Sequence, residues 1–381
     1  MSTRLSSPAA DISFFRKGTG IPVGNPPETS SDTRRKRTPI LPFFLPFAGC
    51  PHRCIYCAQE QQTGLPAPQT PIALLEALAK IFDEKEGENT EKYLHLPPVF
   101  EFAFYGGTFT ALPETLQLQC LERLAPLKES GRLSRVRCST RPDSVTPSLL
   151  LRLKKAGLDL VELGIQSYSD MALRRSSRGY SGATALEACR MVQDAGLDLG
   201  IQLLPGMPGV TPDVFLEDAQ KSLEMQPKCL RWYPCLVVEG TRLALLWKRG
   251  LYAPWSLPET VETLGRALSL AWARRVPVIR LSLAPEPELE AAILAGPRHP
   301  ALGNLIQGEA LYLTLSDRLQ KFSHPVHVAL PSFCQGFFYG DRGSLRSRWE
   351  GLGLSASQIH WIGGHEVFIW QDSSGHGRET A

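Results

Sequence analysis

From Pro39 to Leu283, short β-like runs alternate with helical stretches, and this alternation is the strongest constraint on how the chain can fold. A strand, a helix and a further strand in succession need a crossover connection, so repeated units imply a mainly parallel sheet with helices packed on it. The strand-like runs are Ile40–Phe47, Val99–Tyr105, Val136–Thr140, Leu158–Ile165, Leu197–Leu203, Cys229–Tyr233 and Val276–Leu283. Between them, Pro71–Phe82, Pro113–Lys128, Thr146–Lys155, Ser181–Ala195, Pro212–Met225 and Leu257–Ala273 read as helices. Thr146 followed by Pro147 marks one helix start, with a capping hydroxyl and a proline at the first helical position. The strands are apolar nearly throughout, as expected when both faces are covered. Polar residues and glycines gather at their carboxyl ends, where parallel α/β architectures place ligands. About six such units fill residues 39–283, so an α/β partial (β/α)6 TIM-like barrel fits better than a closed eight-fold one.

Of the 381 residues, 43% are hydrophobic, which excludes wholesale disorder. The 41 Lys+Arg against 38 Asp+Glu give a net charge of +3, too mild to imply a nucleic-acid coat but compatible with a local basic site. Met1–Ala10 has no apolar core of a signal peptide, and no apolar run approaches the length of a membrane span. A soluble, cytoplasmic protein without a membrane segment is expected. Residues 1–38 read as a flexible basic leader carrying Arg34-Arg35-Lys36-Arg37, residues 39–283 as the partial barrel, and residues 284–381 as a small α+β carboxyl-terminal extension or cap. Oligomeric state is not legible.

The nine cysteines, an odd number, do not read as a disulfide framework. Cys50, Cys54 and Cys57 stand at C-x-x-x-C-x-x-C spacing just after the first strand; the other six are dispersed. Three thiolates in so short a loop can ligate three irons of a [4Fe–4S] cluster and leave the fourth open for chemistry. A structural zinc site completed by His52 is the alternative, but zinc usually takes paired short-spaced ligands and no second C-x-x-C exists. A closed, purely structural cluster is the remaining reading.

Further motifs end the following strands. The pair Gly106-Gly107 lets backbone approach a ligand closely. Arg141 offers a planar fork suited to a carboxylate, and Ser139 can bond a ribose hydroxyl. Glu162 sits within an apolar strand and needs a partner, such as an arginine or a ligand hydroxyl. Gln166 and Ser167 close that strand; Arg174, Arg175 and Arg178 follow it, and Gln202 lies in the next.

With these motifs the chain resembles the radical S-adenosylmethionine (SAM) superfamily, and within it the radical SAM half of the Elongator catalytic subunit and its bacterial relatives. The matching phrases run in order from Tyr105-Gly106-Gly107-Thr108-Phe109-Thr110 through Ser139–Asp143, Val161–Ser167, Arg178-Gly179-Tyr180 and Leu230–Pro234 to Gly240–Leu243 and Gly296–Gly303. The resemblance implies a barrel of radical SAM type, with Cys50, Cys54 and Cys57 on a [4Fe–4S] cluster and Tyr56 as the aromatic residue before the last cysteine. It implies that SAM binds the open iron and is cleaved reductively to methionine and a 5′-deoxyadenosyl radical, which abstracts hydrogen from an unidentified substrate. Gly106, Gly107, Thr108, Ser139, Arg141, Gln166, Arg178 and Gln202 are the implied SAM contacts, Thr108 standing where Glu often stands and Arg178 facing the SAM carboxylate. An electron donor such as flavodoxin or ferredoxin is implied as a partner. No further catalytic residue is assigned.

Two departures shape the expectation. The Elongator subunit follows its radical half with an acetyltransferase domain, whereas 78 residues follow Gly303 here and carry no Gly-rich acyl-CoA loop. The related coproporphyrinogen oxidases carry a further cysteine where Gln59 stands. The substrate therefore stays open between RNA, tRNA included, and a small tetrapyrrole-like molecule. The latter would be enclosed by a cap containing Phe333–Gly340, Arg342, Arg346 and Arg348. A non-enzymatic iron–sulfur or haem-binding protein is the alternative from another class.

Overall fold

The computed structural model describes residues 38–66, 71–82, 97–283, 286–322 and 326–371. Residues 1–37 of the expected basic leader lie outside the described residues. The main sheet has seven strands in the order β1-β2-β3-β4-β5-β6-β8. They are β1 (Ile40–Phe44), β2 (Phe100–Tyr105), β3 (Leu133–Thr140), β4 (Leu160–Gln166), β5 (Asp198–Leu203), β6 (Cys229–Trp232) and β8 (Val278–Arg280); β7 (Val237–Val238) pairs elsewhere. Neighbours from β1 to β6 pair in parallel, for example Phe44 with Tyr105 and Thr140 with Leu163. From β1 to β6 each strand pairs with the next in sequence, so each of these connections is a crossover, as the alternation demands.

The strands are not apolar on both faces. One face carries Phe100, Phe102, Phe104, Val136, Cys138, Val161, Leu163, Ile165, Ile201 and Trp232, all almost fully buried. The alternate positions carry Glu101, Tyr105, Arg137, Ser139, Glu162, Gly164, Gly200, Gln202, Cys229 and Arg231. The sequence reads as continuously apolar because small residues and isolated charges dilute this period of two. The polar face is concave. The Arg231 guanidinium on β6 donates to the Tyr105 hydroxyl on β2, four strand steps away. In a flat sheet those backbones would be about 19 Å apart, beyond the reach of the two side chains, so the sheet curls into a partial barrel.

Local signals explain the helices. Leu149 N–H donates to Thr146 Oγ1 at 3.3 Å, the expected cap, and Ser181, Thr211 and Thr241 start helices in the same way. The stretch Pro113–Lys128 is two helices, Glu114–Glu122 and Ala125–Glu129, instead of one. Pro126 has no N–H to continue the first helix and instead sits in the opening turn of the second.

The chain divides into two compact units. The first takes the described residues within 38–257 and 282–298; besides strands β1–β6 it holds a short antiparallel pair, β7 with β9 (Ile293–Ala295). The second takes the described residues within 258–281 and 299–371. Its helix Leu302–Leu319 accompanies a three-stranded sheet in the order β11-β10-β12, made of β10 (Val326–Pro331), β11 (Ile359–Ile362) and β12 (Phe368–Gln371). In this α+β unit, Phe338 stacks on Trp349 at 4.4 Å, and both are fully buried. Arg348 lies over Tyr312 and makes a two-pronged contact with Glu309 at 2.5 and 3.0 Å. Phe337 and Phe338 thus belong to this unit's own core. Among the described residues no helix is long and apolar enough to cross a membrane.

Candidate active site

The cysteine loop leaves the end of β1 and packs against the end of β2. Leu45 N–H donates to Tyr105 O at 2.7 Å, and Thr108 N–H donates to Ala48 O at 2.7 Å. The two backbones meet so closely that a Cβ on Gly107 would lie 2.3 Å from Ala48 O, and one on Gly49 would lie 2.3 Å from Thr108 O. Both glycines have positive φ, 55° and 72°, so only glycine gives this approach without strain. Gln59, just beyond the last cysteine, accepts hydrogen bonds on its Oε1 from Phe47 N–H at 2.5 Å and Gly107 N–H at 3.0 Å.

All three thiols of this loop are free; Cys54 is buried, and Cys50 and Cys57 are partly so. Cys50 Sγ lies 3.3 Å from Thr108 Oγ1. Cys54 Sγ accepts a hydrogen bond from Arg178 Nη1 at 3.0 Å, with Arg141 Nη1 at 4.0 Å. Burial pushes the Cys50 thiol up. Burial and the neighbouring thiols Cys54 and Cys50 push Cys57 up to about 12. As placed, no three His, Cys, Asp or Glu side chains among the described residues converge on a metal position.

Two arginines form the wall behind Cys54. Arg141 makes a two-pronged contact with Asp143 at 2.9 and 2.7 Å and donates to Arg178 O. Arg178 donates to the Tyr180 hydroxyl at 2.9 Å and to Gly164 O at 2.5 Å. Its guanidinium is buried, and its hydrogen bonds run to sulfur, hydroxyl and carbonyl acceptors, so it suits an anion placed at Cys54. Two polar atoms nearby are buried without a hydrogen-bond partner: Tyr56 Oη and Gln166 Oε1. Gln166 ends β4 with φ of 69°, beside a register shift against β5. Ser139 and Gln202 lie partly exposed on the concave face. Three closely spaced thiols, a buried cation beside one of them and unsatisfied groups at Tyr56 and Gln166 together fit an iron–sulfur cluster with a polar ligand alongside it.

Deeper on the concave face, Glu162 has the arginine partners its burial demands. Arg137 Nε lies 2.8 Å from Oε1, Arg231 Nε lies 2.5 Å from Oε2, and Tyr105 Oη donates to Oε1 at 2.7 Å. Burial raises the Glu162 pKa, but Arg137 and Arg231 overcome it and hold the carboxyl below its ordinary value. Arg137 also meets Glu101 at 2.9 Å. The structure thus adds Gln59, Tyr180, Arg137 and Arg231 to the residues singled out from sequence. Arg231 and Tyr180 lie in segments that match the family, Leu230–Pro234 and Arg178-Gly179-Tyr180, but nothing local marks their role; Gln59 and Arg137 carry no local signal.

The chain matches the radical SAM superfamily over residues 44–221 and the radical SAM C-terminal domain over residues 227–311. The tRNA uridine(34) acetyltransferase of Methanocaldococcus infernus is 29% identical over 266 residues, covering 60% of this chain and 49% of that protein. Elongator complex protein 3 of Homo sapiens is 29% identical over 210 residues, covering 49% of this chain and 38% of that protein. Among solved structures, the archaeal Methanocaldococcus infernus Elp3 with an N-terminal deletion matches with a TM-score of 0.51 at 27% identity, covering 64% of this chain and 58% of that one. The chain spans about half the length, or less, of these curated relatives. The superfamily match runs from the end of β1, through the cysteine loop and the ends of β2 to β5, so the curled parallel sheet is that of an enzyme of the radical SAM superfamily, to which this chain belongs.

Proposed function

We propose that Cys50, Cys54 and Cys57 hold a [4Fe–4S] cluster and that the ends of β2 to β5 bind SAM beside it, making the chain a radical SAM enzyme acting on RNA. When bound, these cofactors supply one-electron reductive cleavage of SAM, with a flavodoxin- or ferredoxin-type donor providing the electron. The protein's own residues bind and orient them. Arg178 offsets negative charge at Cys54. Gly106 and Gly107 expose backbone beside the cysteine loop. Tyr56, Ser139, Gln166 and Gln202 supply hydroxyl and amide groups to a polar ligand. The observation that carries the reading is the 3.0 Å contact from the buried Arg178 guanidinium to Cys54 within a loop of three free thiols. Zinc is disfavoured as the metal because His52 is exposed and sits against Gly179, with its Cε1 3.0 Å from where a Cβ there would stand.

Anaerobic reconstitution should give an iron–sulfur chromophore and dithionite-dependent 5′-deoxyadenosine, and Cys54→Ala should lose both. Stoichiometric zinc with neither signal would refute the enzyme reading; a stable cluster that never cleaves SAM would make this a binding protein. The RNA substrate rests on relatives whose names specify tRNA uridine. It predicts tRNA binding that weakens as salt rises. Salt-independent binding, or none, together with accumulation of a small metabolite in a deletion strain, would favour a small-molecule substrate instead.

A further inference from the structure

We propose that Gln59 is a positioning residue: its side-chain carbonyl fixes the cysteine loop against the Gly106-Gly107 turn, so that cluster and SAM are held as one unit. This deepens the reading above and rests on it. Phe47 and Gly107 both adopt left-handed backbone, with φ of 57° and 55°. Neither belongs to a strand or helix that would supply a regular acceptor for its N–H. Gln59 Oε1 takes both, at 2.5 and 3.0 Å, and so uses both lone pairs of one oxygen.

The same residue reaches the metal ligands by its backbone. The Gln59 backbone N–H donates to the Cys57 sulfur, two positions back in the chain. One residue therefore joins the last cysteine, the entrance of the loop and the turn expected to contact SAM. A helix-capping role does not account for this. The amides it serves lie 12 and 48 positions away in sequence. Within the helix Gln59–Thr63, Thr63 Oγ1 donates to the Gln59 backbone carbonyl, independently of the Gln59 side chain.

The test uses Gln59→Leu, which keeps bulk without an acceptor, and Gln59→Glu, which keeps the acceptor. In the unaltered metal-free protein, the amides of Phe47 and Gly107 should exchange slowly with solvent deuterium; fast exchange there overturns the proposal without any variant. Gln59→Leu should speed exchange at both amides. After reconstitution it should retain iron on the unchanged thiols but bind SAM roughly tenfold more weakly, read from the SAM-induced change in the reduced cluster's EPR spectrum. Gln59→Glu should restore slow exchange and SAM affinity. Parental SAM affinity in Gln59→Leu, or no rescue by Gln59→Glu, overturns the proposal. Absence of any SAM-induced spectral change in the parent instead overturns the radical SAM reading of this site, and the proposal with it.

Discussion

Replacing Glu162 by Gln should destabilise the protein far more than a typical polar substitution. The carboxylate is 2% exposed, is ion-paired with Arg137 and Arg231, and accepts from the Tyr105 hydroxyl. Glutamine offers one oxygen, and its amide NH2 would face a guanidinium, donor against donor. Arg137 would keep Glu101. Arg231 would keep only the hydroxyls of Tyr105 and Tyr233 among its polar contacts, leaving a buried charge without compensation. Breaking a buried ion pair from one side costs about 3–5 kcal/mol, a large share of a domain's stability. Urea denaturation of the metal-free protein at neutral pH, followed by circular dichroism, should show that loss. Glu162→Leu combined with Arg231→Met should recover most of it, since removing both charges together is often near neutral. The pH dependence carries a second signature. The folded pKa of Glu162 lies below its ordinary value, so its contribution is present above the ordinary value and lost as pH falls through the lowered one. The parent should therefore lose stability in acid more steeply than Glu162→Gln. A single variant within about 0.5 kcal/mol of the parent would refute the closed, desolvated network.

The two glycines of the β2 turn should behave differently when replaced by alanine. At Gly107 the new Cβ would meet Ala48 O at 2.3 Å and Leu45 O at 2.6 Å, whereas at Gly106 its nearest neighbour is 3.5 Å away. Gly107→Ala should cost roughly 2–4 kcal/mol and impair iron retention, and Gly106→Ala only about 1 kcal/mol of left-handed backbone strain, read by denaturation and iron content. Asp218 gives an opposite pH signature to Glu162. Burial pushes its carboxyl up to about 6, despite hydrogen bonds from Ser167 Oγ and Tyr168 N–H. Its contribution is therefore fully present below its ordinary value of 3.8 and lost as pH rises through about 6. Asp218→Asn should remove a decline of roughly 3 kcal/mol between pH 4 and 7, measurable by urea denaturation across that range.

The alternation of strands and helices was legible because it depends on local chemistry. Leu257–Ala273 has the same bounds in sequence and structure, and Thr146 caps the helix it was expected to cap. The turns at the ends of β1 and β2 were legible for the same reason, since Gly106-Gly107 and the spacing of Cys50, Cys54 and Cys57 are properties of short segments. The arginine partners of Glu162 were not. Taken singly, Arg137 and Arg231 look like surface cations, and they come from strands on either side of β4, one of them two positions away in the sheet. What the sequence did express was the demand: a carboxylate in an apolar strand requires compensation. Arg137 stands on the adjacent strand, but only curling of the sheet brings β2 and β6 close enough for Tyr105 and Arg231 to meet at that carboxylate. Glu162, Arg137 and Arg231 would each be costly if left in an open sheet's apolar cover, so their mutual satisfaction favours the curled form over flatter arrangements of the same strands. The partial barrel is thus specified from two directions, by local periodicity for its elements and by buried charge for its curvature. The strand ends that carry Gly106, Gln166 and Gln202 are brought around one mouth by that same curvature.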